Sequence, residues 1–166
     1  MLFPYLFTIS SYAQKNIIKV GFVASGGMNT GLLYERSVSN HLSVIGQVGF
    51  ATISDLLELE SSAEIYFGIG LYVEGRYYFS KNKDLMEGWH TGIYTTYLNT
   101  ESIDDFFTYD QNNMSIGLVG GYQWVFNSHL TFDTLLGGGY LKFDGSGSNE
   151  DSGIYPLIGI NIGYNF

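Results

Sequence analysis

The residues that could do chemistry are few. Chief among the charges that interrupt apolar or small runs are Lys19, Glu35, Glu74, Arg76 and Asp133, with Gln47 and Asn161 as polar neighbours. Bases and acids confined together must pair, because an unpaired buried charge is costly. Such a set could line or gate a narrow polar path; a salt-bridge network that plugs an interior is the plainer expectation. The three histidines, His41, His90 and His129, could hold a metal only by converging with a carboxylate. They stand near different turns with no i, i+2 or i, i+4 pairing, so solvated turn residues are expected. Ser128, His129 and Asp133 invite a hydrolase reading. Adjacent strand residues point to opposite faces, however, and His129 to Asp133 spans roughly 13 Å along a strand. That is too far for a base and its orienting acid, and no catalytic residue is expected. Asp144 to Asp151 (DGSGSNED) has the spacing of a calcium loop, yet Asn149 and Tyr155 stand where Gly and Glu are needed. A surface loop is expected there. Gly137-Gly138-Gly139 lies in a strand-like run with no helix after it, which excludes a phosphate loop and predicts a bulge or kink.

Composition narrows the classes further. The chain has 166 residues, a formal charge of −9 from 7 Lys+Arg and 16 Asp+Glu, 17% aromatic residues, 22 Gly and no Cys. So apolar a chain collapses rather than staying disordered. A nucleic-acid surface needs a basic stripe that this balance denies. Without Cys there is neither a thiolate metal site nor a disulfide framework, and no cofactor is expected. Charged residues make up 14%, against roughly 25% in an ordinary soluble domain.

The elements that must position these residues are strands. From Asn16 onward the sequence alternates with period two in eight runs: Ile17–Ser25, Leu32–Ser39, His41–Ile53, Glu64–Phe79, Trp89–Thr100, Met114–Phe126, His129–Phe143 and Ile154–Phe166. The turns after the second, fourth and sixth runs are mostly short. Those after the odd-numbered runs (Gly26–Gly31, Ser54–Ala63, Glu101–Asn113, Asp144–Gly153) are longer and polar. Acids gather at the long-loop end: Asp55, Glu58, Glu60, Glu64, Glu101, Asp104, Asp105, Asp110, Asp144, Glu150 and Asp151. Lys81 and Lys83 lie at the other end. With no apolar run of about 18 residues there is no transmembrane helix, and a single all-β domain is expected.

Each strand has two unlike faces. In the last run Ile154, Pro156, Ile158, Ile160, Ile162, Tyr164 and Phe166 share one face, and Tyr155, Leu157, Gly159, Asn161, Gly163 and Asn165 the other. A soluble lipocalin-like barrel would turn the apolar face inward, whereas a membrane barrel turns it to lipid. Glycine on the second face favours the membrane arrangement, because a water-facing strand surface carries long polar side chains and a narrow interior needs small ones. On that reading Lys19, Glu35, Glu74, Arg76 and Asp133 face the lumen. Arg36 faces lipid near the rim, and Trp89, Trp124, Phe126, Phe79, Tyr164 and Phe166 rim the short-turn end as an interfacial girdle.

The stretch from Lys15 to Phe166 resembles small eight-stranded outer-membrane β-barrels of the OmpA/OmpX type. Its terminal strand Gly159–Phe166 (GINIGYNF) is similar to the C-terminal signal read by the outer-membrane assembly machinery, with Ile160, Ile162, Tyr164 and Phe166 carrying it. Leu33-Tyr34-Glu35-Arg36 is similar to the second strand of such barrels. Met1 to Ala13 reads as a truncated signal peptide, ending in a small-x-small pattern before Gln14, similar to exported proteins of the Bacteroidetes type. The resemblance implies a barrel domain over 14–166 in a Gram-negative outer membrane, both termini periplasmic, monomeric, in contact with lipid and lipopolysaccharide. It implies either a structural or surface-interaction role or a narrow porin-like channel. The resemblance does not extend to a peptidoglycan-binding domain among these residues, so no cell-wall anchoring role is expected.

Overall fold

Period-two alternation produces eight antiparallel strands in the computed structural model: β1 (Asn16–Ala24), β2 (Met28–Ser37), β3 (Leu42–Ile53), β4 (Tyr66–Tyr78), β5 (Gly88–Ile103), β6 (Thr108–Phe126), β7 (Leu130–Gly145) and β8 (Gly153–Asn165). The structure describes residues 16–24, 28–53, 66–80, 86–103, 108–145 and 152–166. Each strand pairs with the next, and β1 also pairs with β8, so the sheet closes into an up-and-down barrel. Closure removes the exposed edges that an open sheet would present.

The closure is staggered. One inward row starts at Asp133 on β7 and crosses Asn161, Gly21, Gly31, Gly49, Gly70, Leu98 and Asn113. It returns to β7 at Phe143, a shear of ten residues from 133 to 143. Such a stagger tilts the strands and sets how much room the lumen has. Glycine occupies four consecutive strands of this row, and there the strands approach too closely for side chains. A Cβ on Gly31 would stand 2.2 Å from the Val48 carbonyl oxygen, and one on Gly49 would stand 2.1 Å from that of Thr30.

The barrel is inverted relative to a soluble one. Charged Lys19, Glu35, Glu74, Arg76 and Asp133 are buried inside, while Val20, Phe50, Ile93, Leu118, Leu136 and Ile162 are more than half exposed outside. The soluble alternative places the apolar face inward, and the observed faces are the reverse. Even polar groups of the outer face are satisfied internally: Thr91 and Thr95 donate to the carbonyls of Val119 and Ser115. Outward aromatics cluster around the short-turn end, with Trp89 edge-on to Tyr122 at 5.2 Å, Tyr122 tilted against Trp124 at 4.6 Å and Tyr77 edge-on to Phe79 at 5.4 Å.

Several sequence expectations need correction. Residues 28–31 belong to β2 rather than to a loop. The expected loop Glu101–Asn113 is largely strand: β5 and β6 pair as far as Ile103↔Thr108, placing Glu101 opposite Asp110. These ladder segments are polar, so hydrophobic alternation does not reveal them. Asp144 likewise lies in β7. The triple glycine carries no bulge, for Gly137, Gly138 and Gly139 keep one-to-one register with both β6 and β8. Its role is room: a Cβ on Gly139 would stand 2.5 Å from the Tyr94 hydroxyl, and one on Gly117 2.8 Å from the same ring. Residues 1–13, Asp55, Glu58, Glu60, Glu64, Lys81, Lys83, Asp104, Asp105 and the 146–151 part of the calcium-like loop, with Glu150 and Asp151, lie outside the described residues.

Candidate functional site

Inward residues stack in four layers from the short-turn end to the long-loop end. At the bottom Ile17, Tyr78 and Met86 form a small apolar floor. Met86, in the turn before β5, adopts φ 63° with its carbonyl accepting from Gln123 Nε2 at 2.5 Å. Above it lies the charged layer. An apolar layer of Val23, Leu33, Ile45, Tyr72, Tyr94, Val119, Leu135 and Leu157 follows. Its two tyrosine rings stack at 5.8 Å. The last layer is polar but uncharged: Asn29, Gln47, Thr96, Asn113 and Ser115, with Leu98 and Leu141 among them.

The charged layer draws on every strand of the barrel. Lys19 on β1 lies 2.6 Å from Glu35 on β2 and 3.1 Å from Asp133 on β7, and donates to Gln123 on β6 at 2.5 Å. Arg76 on β4 grips Glu74 through two parallel bonds, Nε to Oε1 at 2.7 Å and Nη2 to Oε2 at 2.9 Å. Its Nη1 reaches Asp133 at 3.0 Å. The guanidinium fork fits this double carboxylate geometry. Glu35 accepts from the hydroxyls of Ser43 on β3 at 2.6 Å and Tyr78 at 2.8 Å. Glu74 accepts from Tyr72 at 2.8 Å, and Asn161 on β8 donates to Asp133 at 3.3 Å. The two cations thus touch all three carboxylates, and each carboxylate takes a further hydrogen bond.

The lumen glycines give these side chains their space. A Cβ on Gly163 would stand 2.6 Å from Lys19 Cγ, one on Gly92 2.6 Å from Glu74 Oε1, and one on Gly121 2.8 Å from the His90 ring.

His90, which supplies the β5 member of the layer, departs from the solvated turn residue expected of it. It is buried, with Nε2 3.1 Å from Asp133 Oδ1 and its ring 5.4 Å from that of Tyr78. It lies on the glycine and tyrosine face of β5, two residues from Gly92 and four from Tyr94. That parity was the available signal. Gln123, Tyr72, Tyr78 and Ser43 were also missed, and all share the inward parity of their strands. Gln47 is not a neighbour of the charges: it lies beyond the apolar layer and donates to the Asn29 carbonyl at 3.0 Å. His41 is half-buried with Nδ1 3.1 Å from the Tyr78 carbonyl oxygen, and His129 is exposed with its ring edge-on to Tyr164 at 5.3 Å. Ser128, at φ 65°, and His129 stand in the β6–β7 turn while Asp133 points into the lumen, so no triad assembles. Ile160, Ile162, Tyr164 and Phe166 are exposed on the outer face of the last strand. Arg36 is exposed on the same face of the barrel, in register with Asn16 and Val44 near the short-turn end.

Three solved structures share this architecture. The N-terminal β-barrel domain of Pseudomonas aeruginosa OprF aligns with a TM-score of 0.59 at 12% identity, covering 92% of this chain and 97% of that one. A major outer membrane protein from Thermus thermophilus gives 0.52 at 16% identity, covering 93% and 100%. Ail, the attachment invasion locus protein of Yersinia pestis, solved with the heparin analogue sucrose octasulfate, gives 0.51 at 13% identity, covering 92% and 97%. These likenesses establish an outer-membrane barrel fold. No curated protein matches the sequence. A family model does match, over residues 1–150, and the chain belongs to that family, described as protein of unknown function (DUF3575).

Proposed function

We propose that this chain is an integral outer-membrane β-barrel whose role is structural and surface-directed, with a lumen filled by side chains rather than open to solutes. The observation that carries this reading is the layered lumen. An internally bonded charge layer lies against an apolar layer drawn from all eight strands, all inside a barrel whose outer face is apolar. An ion crossing the apolar layer would shed its hydration without compensation. The short-turn end, with its aromatic belt, faces the periplasm, so both termini are periplasmic and the acidic long-loop end faces outward among lipopolysaccharide. Ile160, Ile162, Tyr164 and Phe166 serve as the assembly signal, and the barrel works as a monomer without catalysis. Ail was solved with a polyanion. The acids of the long-loop end here suit cationic partners instead, in a salt-sensitive manner.

Folded protein in detergent is expected to migrate faster unheated than boiled, to fractionate with membranes, and to give no steady conductance in a planar bilayer. Recovery in the soluble fraction would end the membrane reading. Sustained conductance abolished by blocking the lumen would replace the filled barrel with a narrow conduit. Neutralising Asp104, Asp105, Asp110, Glu150 and Asp151 is expected to abolish binding to a cationic surface, and unchanged binding would remove the surface role.

A further inference from the structure

In the uncharged polar layer whole amides stand without partners among the described residues. Around the charges only single atoms do: Glu35 Oε2, which lies 2.6 Å from Lys19 Nζ, and His90 Nδ1, Thr131 Oγ1 and Asn161 Oδ1. Asn113 is fully buried on β6, yet neither Nδ2 nor Oδ1 meets a partner among the described residues. The same holds for both amide atoms of Asn29, 2% exposed on β2, and for Oε1 of Gln47, 4% exposed on β3. Asn29 and Gln47 are neighbours, and Asn113 stands two strands beyond Gly70 in one inward row. Gln47 is bonded to the backbone of Asn29, and the Asn29 amide lies over Gly70 on β4, within 2.7 Å of where a Cβ would stand. Gly70 is in register with Leu98, and Leu98 with Asn113. Beside Asn113 the hydroxyls of Thr96 and Ser115 bond each other at 2.6 Å.

Five buried amide atoms without a partner carry a desolvation penalty that a marginally stable fold does not sustain dry. Within a sheet whose own ladders are complete, the missing bonds must come from something in the lumen. Its chemistry is constrained. It must both donate and accept, since unpartnered N–H and C=O groups occur together. It must be uncharged, because the five lumen charges all lie on the far side of the apolar layer. It must be small, because an eight-stranded barrel leaves little room.

We propose that the long-loop half of the lumen is a binding pocket for a small uncharged hydroxyl ligand, a water cluster or a small polyol, held by Asn29, Gln47 and Asn113 and floored by Leu33, Tyr72 and Tyr94. The pocket goes beyond the surface role proposed above and stands or falls separately from it.

The test uses the whole barrel, labelled with ¹⁵N in micelles, with glycerol as the polyol and the exposed Asn127 amide as the bulk-solvent control. The Asn29 and Asn113 side-chain amides are expected to show cross-relaxation with a long-lived water, or to shift along a saturable glycerol curve that Asn127 does not follow. Saturation by glycerol assigns a polyol pocket; a water signal that glycerol leaves unchanged assigns a hydration site. Absence of both signals would overturn the proposal. A second measurement uses the near-isosteric Asn29→Leu/Asn113→Leu variant. Its urea midpoint should fall if the amides are solvated. A midpoint above that of the parent would show a dry layer and overturn the pocket. The spectra of the parent barrel decide the matter alone if the double variant does not assemble.

Discussion

The two polar halves of the lumen solve different problems. On the short-turn side charges are concentrated and each finds partners, so Lys19, Arg76, Glu35, Glu74 and Asp133 tie the strands to a common centre. On the long-loop side the polar groups among the described residues are neutral amides and hydroxyls, and both amide atoms of Asn29 and of Asn113 meet no partner there. Between them lies an apolar layer with Tyr72 stacked on Tyr94. The contrast teaches that polarity inside a barrel is not one property. In a charged layer every charge must be matched, because an unmatched one is intolerable. Neutral atoms beside it, His90 Nδ1 and Asn161 Oδ1, nevertheless make no hydrogen bond among the described residues. A neutral layer can leave its hydrogen bonds to a small visitor.

That comparison can be broken by substitution. The largest effect is expected from Arg76→Ala, which strips Glu74 and Asp133 of their shared cation and should cost about 3–5 kcal/mol. Reversible urea unfolding in micelles would read it, and a loss under about 1 kcal/mol would mean that the layer is not the anchor described. Next is Gly31→Ala, whose new methyl meets the Val48 carbonyl oxygen at 2.2 Å and should cost about 1–3 kcal/mol. A barrel as stable as the parent would show that the glycine row is not a close strand approach. Smaller is the paired change Lys19→Met with Glu35→Leu. It removes one charge of each sign, so by analogy with other buried pairs it should be neutral or mildly stabilising. Lys19→Met alone should be clearly worse than the pair, and equal losses would deny coupling between the two. The smallest effect is expected at Gly46, which is outward-facing with nothing within 4 Å of a Cβ. Gly46→Ala should stay within about 0.5 kcal/mol of the parent, and a larger loss would mean that the outer face is packed rather than lipid-bathed.

The barrel itself was legible because its two faces meet unlike surroundings, and period-two alternation records that difference directly. Strand ends were less legible. The ladder from Asn99 to Ile103 and from Thr108 to Asn113 is polar on both faces, so it carries no alternation and reads as loop. Parity reports which way a side chain faces but not its height along the barrel. Parity alone therefore groups Gln47 with the charges, although Ile45 and the apolar layer separate them. His90 was discounted for its nearness to a turn, yet it shares the inward parity of Gly92 and Tyr94. Tyr72 and Tyr78 look like filler in sequence, and only cross-strand register shows their hydroxyls meeting Glu74 and Glu35.

The seam between the first and last strands has a consequence for how the molecule comes apart. Among the described residues β1 and β8 are matched over Ile17–Ala24, whereas β5 and β6 are matched over Gly88–Ile103. Reciprocal backbone bonds between Asn16 and Phe166, at 3.2 and 2.9 Å, extend the short seam by one rung at its lower end. A closed sheet must rupture along some line, and the shortest ladder opposes rupture least. This line also joins the two ends of the barrel chain, the widest sequence separation of any strand pair, so its closure carries the greatest loop entropy. Closure is therefore expected to finish there, with the Asn16–Phe166 bonds as its last rung, and thermal opening to begin at the same place.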